Sequence, residues 1–392
     1  MKGKKKLGLY IHIPFCKHKC DYCDFNSYAK KENLIPMYMK CLNYELESIG
    51  KGNYQDYIEG KDDLIILNTI YIGGGTPSYL DSKYIGQIME AIKANYILDE
   101  NAEITIEVNP GTVKEEKLKD YISFGINRIS IGLQSSKDSL LKQMGRIHQY
   151  RDFQNTYELA RKVGFSNINV DLMLGIPNQT KEDLKDSLTT VLALQPEHIS
   201  VYSLILEEGT PLFQKVETGM LELLDDEIER EMYWSVKKDL EKAGYVHYEI
   251  SNFAKPGFES KHNMNCWNQE EYIGVGAGAH SYTNQVRYSN IDTIEKYIDN
   301  YEKGHEIDNF IFHEKQNNES QMKEYMMLGL RKIQGIQVQA FKQKFGQNPI
   351  FLFRKELEGL VEKELIEIDG DFIRLSEKGL DLANLVWEEF VS

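Results

Sequence analysis

Residues 10–28 read YIHIPFCKHKCDYCDFNSY, which sets three of the chain's five cysteines in one short loop as Cys16-x3-Cys20-x2-Cys23. Thiolates packed this closely suit a soft, thiophilic metal centre. Three is the informative number. A closed structural zinc site takes four ligands, whereas a cubane iron–sulfur cluster on three cysteines leaves one iron able to bind a substrate. The residues alone leave other readings open: a zinc site completed by His12 or His18, a disulfide pair, or three unrelated buried cysteines.

The loop follows a strand-like run, LGLYIHIP (7–14). Five more β-rich runs come after it: NTIYIGGG (68–75), ITIEVNP (104–110), RISIGLQS (128–135), NINVDLMLG (167–175) and HISVYSLIL (198–206). Helical patterns separate them around 33–49, 81–95, 114–124, 137–163 and 181–194. This alternation predicts an α/β fold of βα units on a parallel sheet. Six units are too few for an eightfold barrel, so a partial (β/α)6, TIM-like barrel is expected, with its chemistry at the C-terminal ends of the strands. It is assigned residues 1–210.

Residues 211–310 are read as an α+β extension. A charged amphipathic helix at 225–243 leads to HNMNCWN (262–268) and YIGVGAGAHSY (272–282). Gly274, Gly276 and Gly278 have no βαβ unit around them, so they are read as a close-packed strand rather than a dinucleotide loop. Residues 311–392 show helices near 319–333, 337–346 and 350–364, a hairpin at 365–376 turning on Asp369-Gly370, and a last helix. This order resembles a winged-helix module. Helices 350–364 and 380–390 are acidic, the wrong sign for a DNA groove, so a packing role is expected.

A chain of 392 residues can bury a large core. Five cysteines, three of them clustered, argue against a secreted disulfide framework. The basic start, MKGKKKLGLYIHIP, reads as a solvated tail rather than a signal peptide, and no run approaches the ~20 apolar residues of a membrane span. A cytoplasmic protein is expected. The net charge of −15 disfavours nucleic acid as a partner and leaves small molecules or a protein with a basic patch.

Several polar residues fall at predicted strand ends. Gly73-Gly74-Gly75-Thr76-Pro77 closes the second strand, where glycines let a ligand approach the backbone. Glu107 stands among apolar residues in ITIEVNP, where an inward carboxylate is costly unless a cation meets it; a salt bridge or a solvent-facing position would explain it equally well. Gln134 offers an amide, Arg146 in QMGRIH could hold a carboxylate, and Asp171 in NVDLMLG could accept from ribose hydroxyls.

In this order, Tyr10, the three cysteines, GGGTP, EVNP, IGLQS, GRIH and DLMLG resemble the coproporphyrinogen-oxidase-like branch of the radical S-adenosylmethionine (SAM) superfamily, over nearly the whole chain. The resemblance implies a [4Fe-4S] cluster on Cys16, Cys20 and Cys23, with SAM on its fourth iron. Gly74, Gly75, Thr76 and Glu107 would meet the methionine end. Gln134, Arg146 and Asp171 would surround the rest, with Tyr10 also in the site and Tyr22 packed on adenine.

The decarboxylating coproporphyrinogen III oxidases carry CxxxCxxCxC and a long arm before the cluster. Here Asp24-Phe25 follows Cys23, and fifteen residues precede Cys16. Both departures resemble the HemW-type heme chaperone branch, which implies binding heme and passing it to respiratory-chain proteins. The oxidase remains the alternative. The branch carries HNxxYW; here Cys266 replaces the tyrosine before Trp267, and His262 is the expected heme ligand, with His280 a weaker candidate. Cys266 and Cys41 read as buried apolar residues. Peripheral membrane association through acceptors and a homodimer are compatible with the branch.

Overall fold

The computed structural model describes residues 4–52 and 64–391. The first three residues of the basic start lie outside the described residues; Lys4 to Lys6 already belong to the first strand.

The six expected strands form one parallel run: β1 (Lys4–Ile13), β2 (Leu64–Gly74), β3 (Ile97–Val108), β4 (Arg128–Gln134), β5 (Ile168–Leu174) and β6 (His198–Ser203). Helices α1 (Ile35–Gly50), α2 (Ser82–Asn95), α3 (Glu115–Phe124), α4 (Asp138–Gln143), α5 (Tyr150–Val163) and α6 (Lys181–Leu194) connect or flank them. Six short strands widen the sheet: β7 (Val246–Glu249), β8 (Asn252–Ala254), β9 (Tyr272–Val275), β10 (His280–Thr283), β11 (Val286–Asn290) and β12 (Phe310–Lys315). The order is β12-β11-β10-β9-β1-β2-β3-β4-β5-β6-β8-β7, an open partial barrel. The chain leaves β6 at one edge, adds β7 and β8 there, and returns to the other edge as β9, parallel to β1.

Alternation within the strands sorts their two faces. Leu9, Ile11, Ile70, Ile72, Ile104, Ile106, Ile129, Ile131, Val170 and Leu172 are buried in the main core with the helices. Each such side chain contributes about 1.5–3 kcal/mol by leaving water. The alternate positions are polar and face the barrel's inside: Tyr10, Tyr71, Thr105 and Arg128 stand in register, one layer on Glu107 pairs Ser130, and one layer further Asp171 pairs Ser200. An apolar outside and a polar inside leave a barrel that can hold a charged ligand.

Two local expectations differ from the structure. The helix pattern at 137–163 is two helices, α4 and α5. Gly145 at φ +73° breaks the run, and Asp138 Oδ1 accepts from Tyr150 N at 2.7 Å to start the second. The break aims Arg146 inward. The glycine-rich run at 272–282 is two strands, not one, because Gly276 (φ +95°) and Gly278 (φ +76°) turn the chain between β9 and β10. A second core, from Met322 to Phe390, encloses helices and a small sheet of Ile336–Gln337, Ile366–Ile368 and Phe372–Leu375, the last two being the Asp369-Gly370 hairpin. Among the described residues no helix is long and apolar enough to cross a membrane.

Candidate functional site

The cysteine loop leaves the end of β1 and is anchored on several sides. Asn26 Nδ2 donates to Ala277 O (3.1 Å) and Asp292 O (2.9 Å). Asp21 N donates to Met144 O, and Asp21 Oδ2 accepts from Lys215 Nζ at 2.6 Å. Each sulfur has a polar neighbour: Thr76 Oγ1 donates to Cys16 (3.4 Å), Arg146 Nη1 donates to Cys20 (3.7 Å), and Ser27 Oγ lies 3.8 Å from Cys23. All five cysteines are free of disulfides. Burial pushes the Cys16 and Cys23 thiols up, so thiolates there need a cation to hold them.

Among the described residues no group of three His, Cys, Asp or Glu side chains is arranged around a single ion. A cubane instead spreads its thiolates over separate irons, and donors to each sulfur are what such a cluster uses. The three cysteines, each with a polar side chain beside its sulfur, fit a [4Fe-4S] cluster.

Beside the loop lies a cavity of about 330 Å³. The structure brings Cys16, Cys20, Cys23, Tyr22, Gly74, Gly75, Thr76, Glu107, Gln134, Arg146 and Asp171 to its walls. Gly74 sits at φ +112°, and a Cβ there would come within 2.7 Å of the His12 ring. A Cβ on Gly75 would stand 3.0 Å from Cys16 Sγ. The GGGTP glycines thus let the second strand end press against the cysteine loop.

Glu107 accepts from Tyr71 OH (2.9 Å) and Gly74 N (3.1 Å). Its burial raises the carboxyl to about 7, and among the described residues no cation pairs with it. Asp171, likewise raised by burial, accepts from Asn169 Nδ2 at 2.6 Å. Two inward carboxylates in a walled cavity fit a ligand with an ammonium and hydroxyls. Arg146 Nη2 donates to Gly132 O (2.6 Å) and Asn109 Oδ1 (3.1 Å). Gln134, at φ +72° where the β4–β5 register shifts, accepts from Tyr202 OH at 2.7 Å. Tyr22 packs beside Leu140, Met144 and Met173.

Three candidates lie elsewhere: Tyr10, His262, and His280, which is exposed at the start of β10. Tyr10 points inside the barrel with its hydroxyl on His12 Nδ1 (2.9 Å) and its ring against Tyr71. His262 sits in the short helix Lys261–Trp267, which closes the barrel's lower end. Glu103 Oε1 and Oε2 accept from the His262 and Lys261 backbone N–H groups. The imidazole Nδ1 meets Thr69 Oγ1 at 2.9 Å, and the ring stacks on Tyr71. It is 7% exposed, and burial lowers it to about 4, so it is neutral. Burial raises the Cys266 thiol to about 11, matching a small buried apolar residue. Trp267 faces Arg331, whose guanidinium lies 4.5 Å from its ring centroid and 4.6 Å from that of Trp387.

Asn109, Ser130, Met173, Tyr202 and His18 also line the cavity, and sequence reasoning did not assign them there. Asn109 and Tyr202 carried the same signal as Glu107, a polar residue at a strand end.

The sequence matches the Radical SAM superfamily over residues 10–191 and the HemN C-terminal domain over 316–382. It is 40% identical over 97% of its length to "Heme chaperone HemW" of Bacillus subtilis, covering 98% of that protein, and 37% identical over 99% to the protein of the same name in Lactococcus lactis, again covering 98%. This chain belongs to the HemW family of radical SAM proteins. The crystal structure of Escherichia coli coproporphyrinogen III oxidase (HemN) superposes with a TM-score of 0.84 at 21% identity, over 99% of this chain and 90% of that one. That likeness establishes the radical SAM fold. HemW-family membership and the cavity chemistry agree on a [4Fe-4S] cluster and SAM.

Proposed function

We propose that this chain binds heme and delivers it to acceptor proteins, using a cluster- and SAM-bearing barrel. The observation that carries this reading is the near full-length identity to proteins named heme chaperones, joined to a cavity lined by the three loop cysteines and by Gly74, Gly75, Thr76, Glu107, Gln134, Arg146 and Asp171. Cys16, Cys20 and Cys23 would hold the cluster. Gly74, Gly75, Thr76 and Glu107 would cradle the methionyl amino group, Arg146 and Gln134 the carboxylate and sugar side, Asp171 the ribose hydroxyls, and Tyr22 the adenine. When bound, the cluster can supply one electron to the SAM sulfonium. Thr76 and Arg146 hold the sulfurs, Tyr71 and Gly74 orient the Glu107 carboxylate, and the aliphatic outer faces keep the barrel rigid.

The acceptors are respiratory-chain hemoproteins in this reading, met in the cytoplasm or at a membrane surface. The test is anaerobic reconstitution followed by parallel titrations with hemin and coproporphyrinogen III. Stoichiometric hemin binding, with transfer to an apo-hemoprotein and no decarboxylation, supports the chaperone. Conversion of coproporphyrinogen III with SAM consumption replaces it by an oxidase.

A further inference from the structure

Asp171 reaches the cavity wall, but the residues that hold it from behind do not. Asn169, two positions back on β5, donates from Nδ2 to Asp171 Oδ1 at 2.6 Å and to Ser130 Oγ at 2.7 Å. An ionised carboxylate can only accept, so the Asn169 amide nitrogen faces it and Oδ1 points away. His198 Nδ1, on the neighbouring strand β6, stands 2.6 Å from that oxygen, with Ser200 Oγ on the same oxygen at 3.1 Å. His198 Nδ1 therefore carries a proton. Burial, together with the nearby Arg128 charge, holds His198 well below its usual range, so the ring is neutral and Nε2 is an acceptor. Tyr248 OH, on β7, donates to it at 2.7 Å and itself accepts from Ser260 N at 3.2 Å. Ser260 caps the short helix Lys261–Trp267.

These contacts form one directed line: Ser260 N–H to Tyr248, Tyr248 O–H to His198, His198 to Asn169, Asn169 to Asp171. Reversing any member sets donor against donor or acceptor against acceptor at its neighbour. Asn169 and His198 are 3% and 1% exposed. Polar groups this deep are costly unless all are satisfied, and apolar side chains of the same shape would fill the space at little or no loss of stability. What the line adds is orientation. It ties Asp171 Oδ1 at a short distance, while Oδ2 has the longer contact of 3.3 Å to Ser130 Oγ and keeps lone-pair capacity for a ligand.

Resting on the assignment of Asp171 to the ribose hydroxyls, we propose that His198 is a positioning residue for the ribose of SAM, acting through Asn169 on the Asp171 carboxylate. Tyr248 carries the same line to the cap of the floor helix. The cavity's preference for a hydroxylated sugar is then set in part by side chains that never touch the ligand, and the floor helix and the ribose site share one set of hydrogen bonds.

The test is an anaerobic calorimetric titration of the cluster-reconstituted full chain with SAM and with its 2′,3′-dideoxy analogue, which keeps the methionyl and adenine ends. His198→Leu breaks the line and is expected to weaken SAM about three- to tenfold, the range of one net hydrogen bond, while the analogue stays within about twofold. His198→Asn, whose amide nitrogen can stand where Nδ1 does, should restore SAM affinity to within about twofold of wild type. Tyr248→Phe should lower the preference for SAM over the analogue in the same direction, by about two- to fivefold. Equal losses for SAM and the analogue in His198→Leu would make the histidine merely structural and overturn the proposal, as would unchanged SAM affinity. If His198→Leu does not fold, an unchanged SAM-to-analogue ratio in Tyr248→Phe overturns it. Asp171→Asn separates the two levels. Loss of the hydroxyl preference there, with none in His198→Leu, leaves the ribose assignment standing without His198. An unchanged preference in Asp171→Asn removes the assignment on which both rest.

Discussion

Replacing Glu107 by glutamine is expected to move ligand affinity and stability in opposite directions. The carboxylate receives hydrogen bonds from Tyr71 and Gly74 but has no cationic partner among the described residues, and burial raises it from 4.5 to about 7. At about 1.4 kcal/mol per pH unit, holding it ionised at pH 8 costs the cofactor-free protein up to about 3 kcal/mol. Part of its surface meets the cavity, whose solvent screens the charge, so this is an upper bound. Glutamine removes that cost; its amide still accepts from Gly74 and can donate to Tyr71. Stability at pH 8 should therefore hold or rise by about 1–2 kcal/mol. The same change removes the charge proposed to meet the methionyl ammonium. A charge-assisted hydrogen bond is worth about 1.5–3 kcal/mol, so SAM should bind about 10- to 100-fold more weakly. The measurements are urea unfolding of the cofactor-free protein and anaerobic calorimetric titration of SAM at matched cluster content. If SAM affinity falls less than about threefold, or stability drops by more than about 2 kcal/mol, Glu107 is an internal structural carboxylate and the ammonium assignment is wrong.

Three further outcomes follow from the packing. A Cβ on Gly278, at φ +76°, would come within 2.1 Å of Asn26 Nδ2; Gly278→Ala should cost about 2–4 kcal/mol and lower the iron retained after gel filtration, because Asn26 ties down the cysteine loop. Arg331→Ala empties the space between Trp267 and Trp387; at about 0.5–2 kcal/mol per cation–π contact it should destabilise the C-terminal module by about 1–4 kcal/mol, read as earlier proteolysis there with SAM affinity intact. Glu45 is fully buried beneath Gly276, Asn290 and Tyr297, and burial raises it from 4.5 to about 7. The native state thus holds a proton that the unfolded chain has released. Stability of the cofactor-free protein should be fullest below about pH 4.5 for this group and fall as pH rises through 7, by an amount on the order of 3 kcal/mol. Thermal melts from pH 5 to 8 that rise monotonically would contradict this.

The barrel was legible because its strands alternate. In RISIGLQ the isoleucines and leucine face the helices, while Arg128, Ser130, Gly132 and Gln134 face inward. The strand-end residues reach one cavity because the parallel register stacks their ends. What the sequence hid was depth. HNMNCW has the residue types of a ligand site, yet capping by Glu103 and stacking on Tyr71 depend on strands more than 150 residues earlier. Conversely, only the fold shows Ile205 brought to the same cavity as the cysteine loop. The bend that aims Arg146 was encoded in Gly145, but a helical period on both sides masked it.

The short helix at the barrel floor has a mechanical consequence. The sheet is unclosed, and the chain that leaves β8 crosses beneath β2 and β3, held by Glu103 and Thr69, before pairing with β1 as β9. It works as a strap of fixed length between the two lips of an open ring. Lengthening or shortening it would widen or narrow the aperture above, through residues that do not themselves line the cavity.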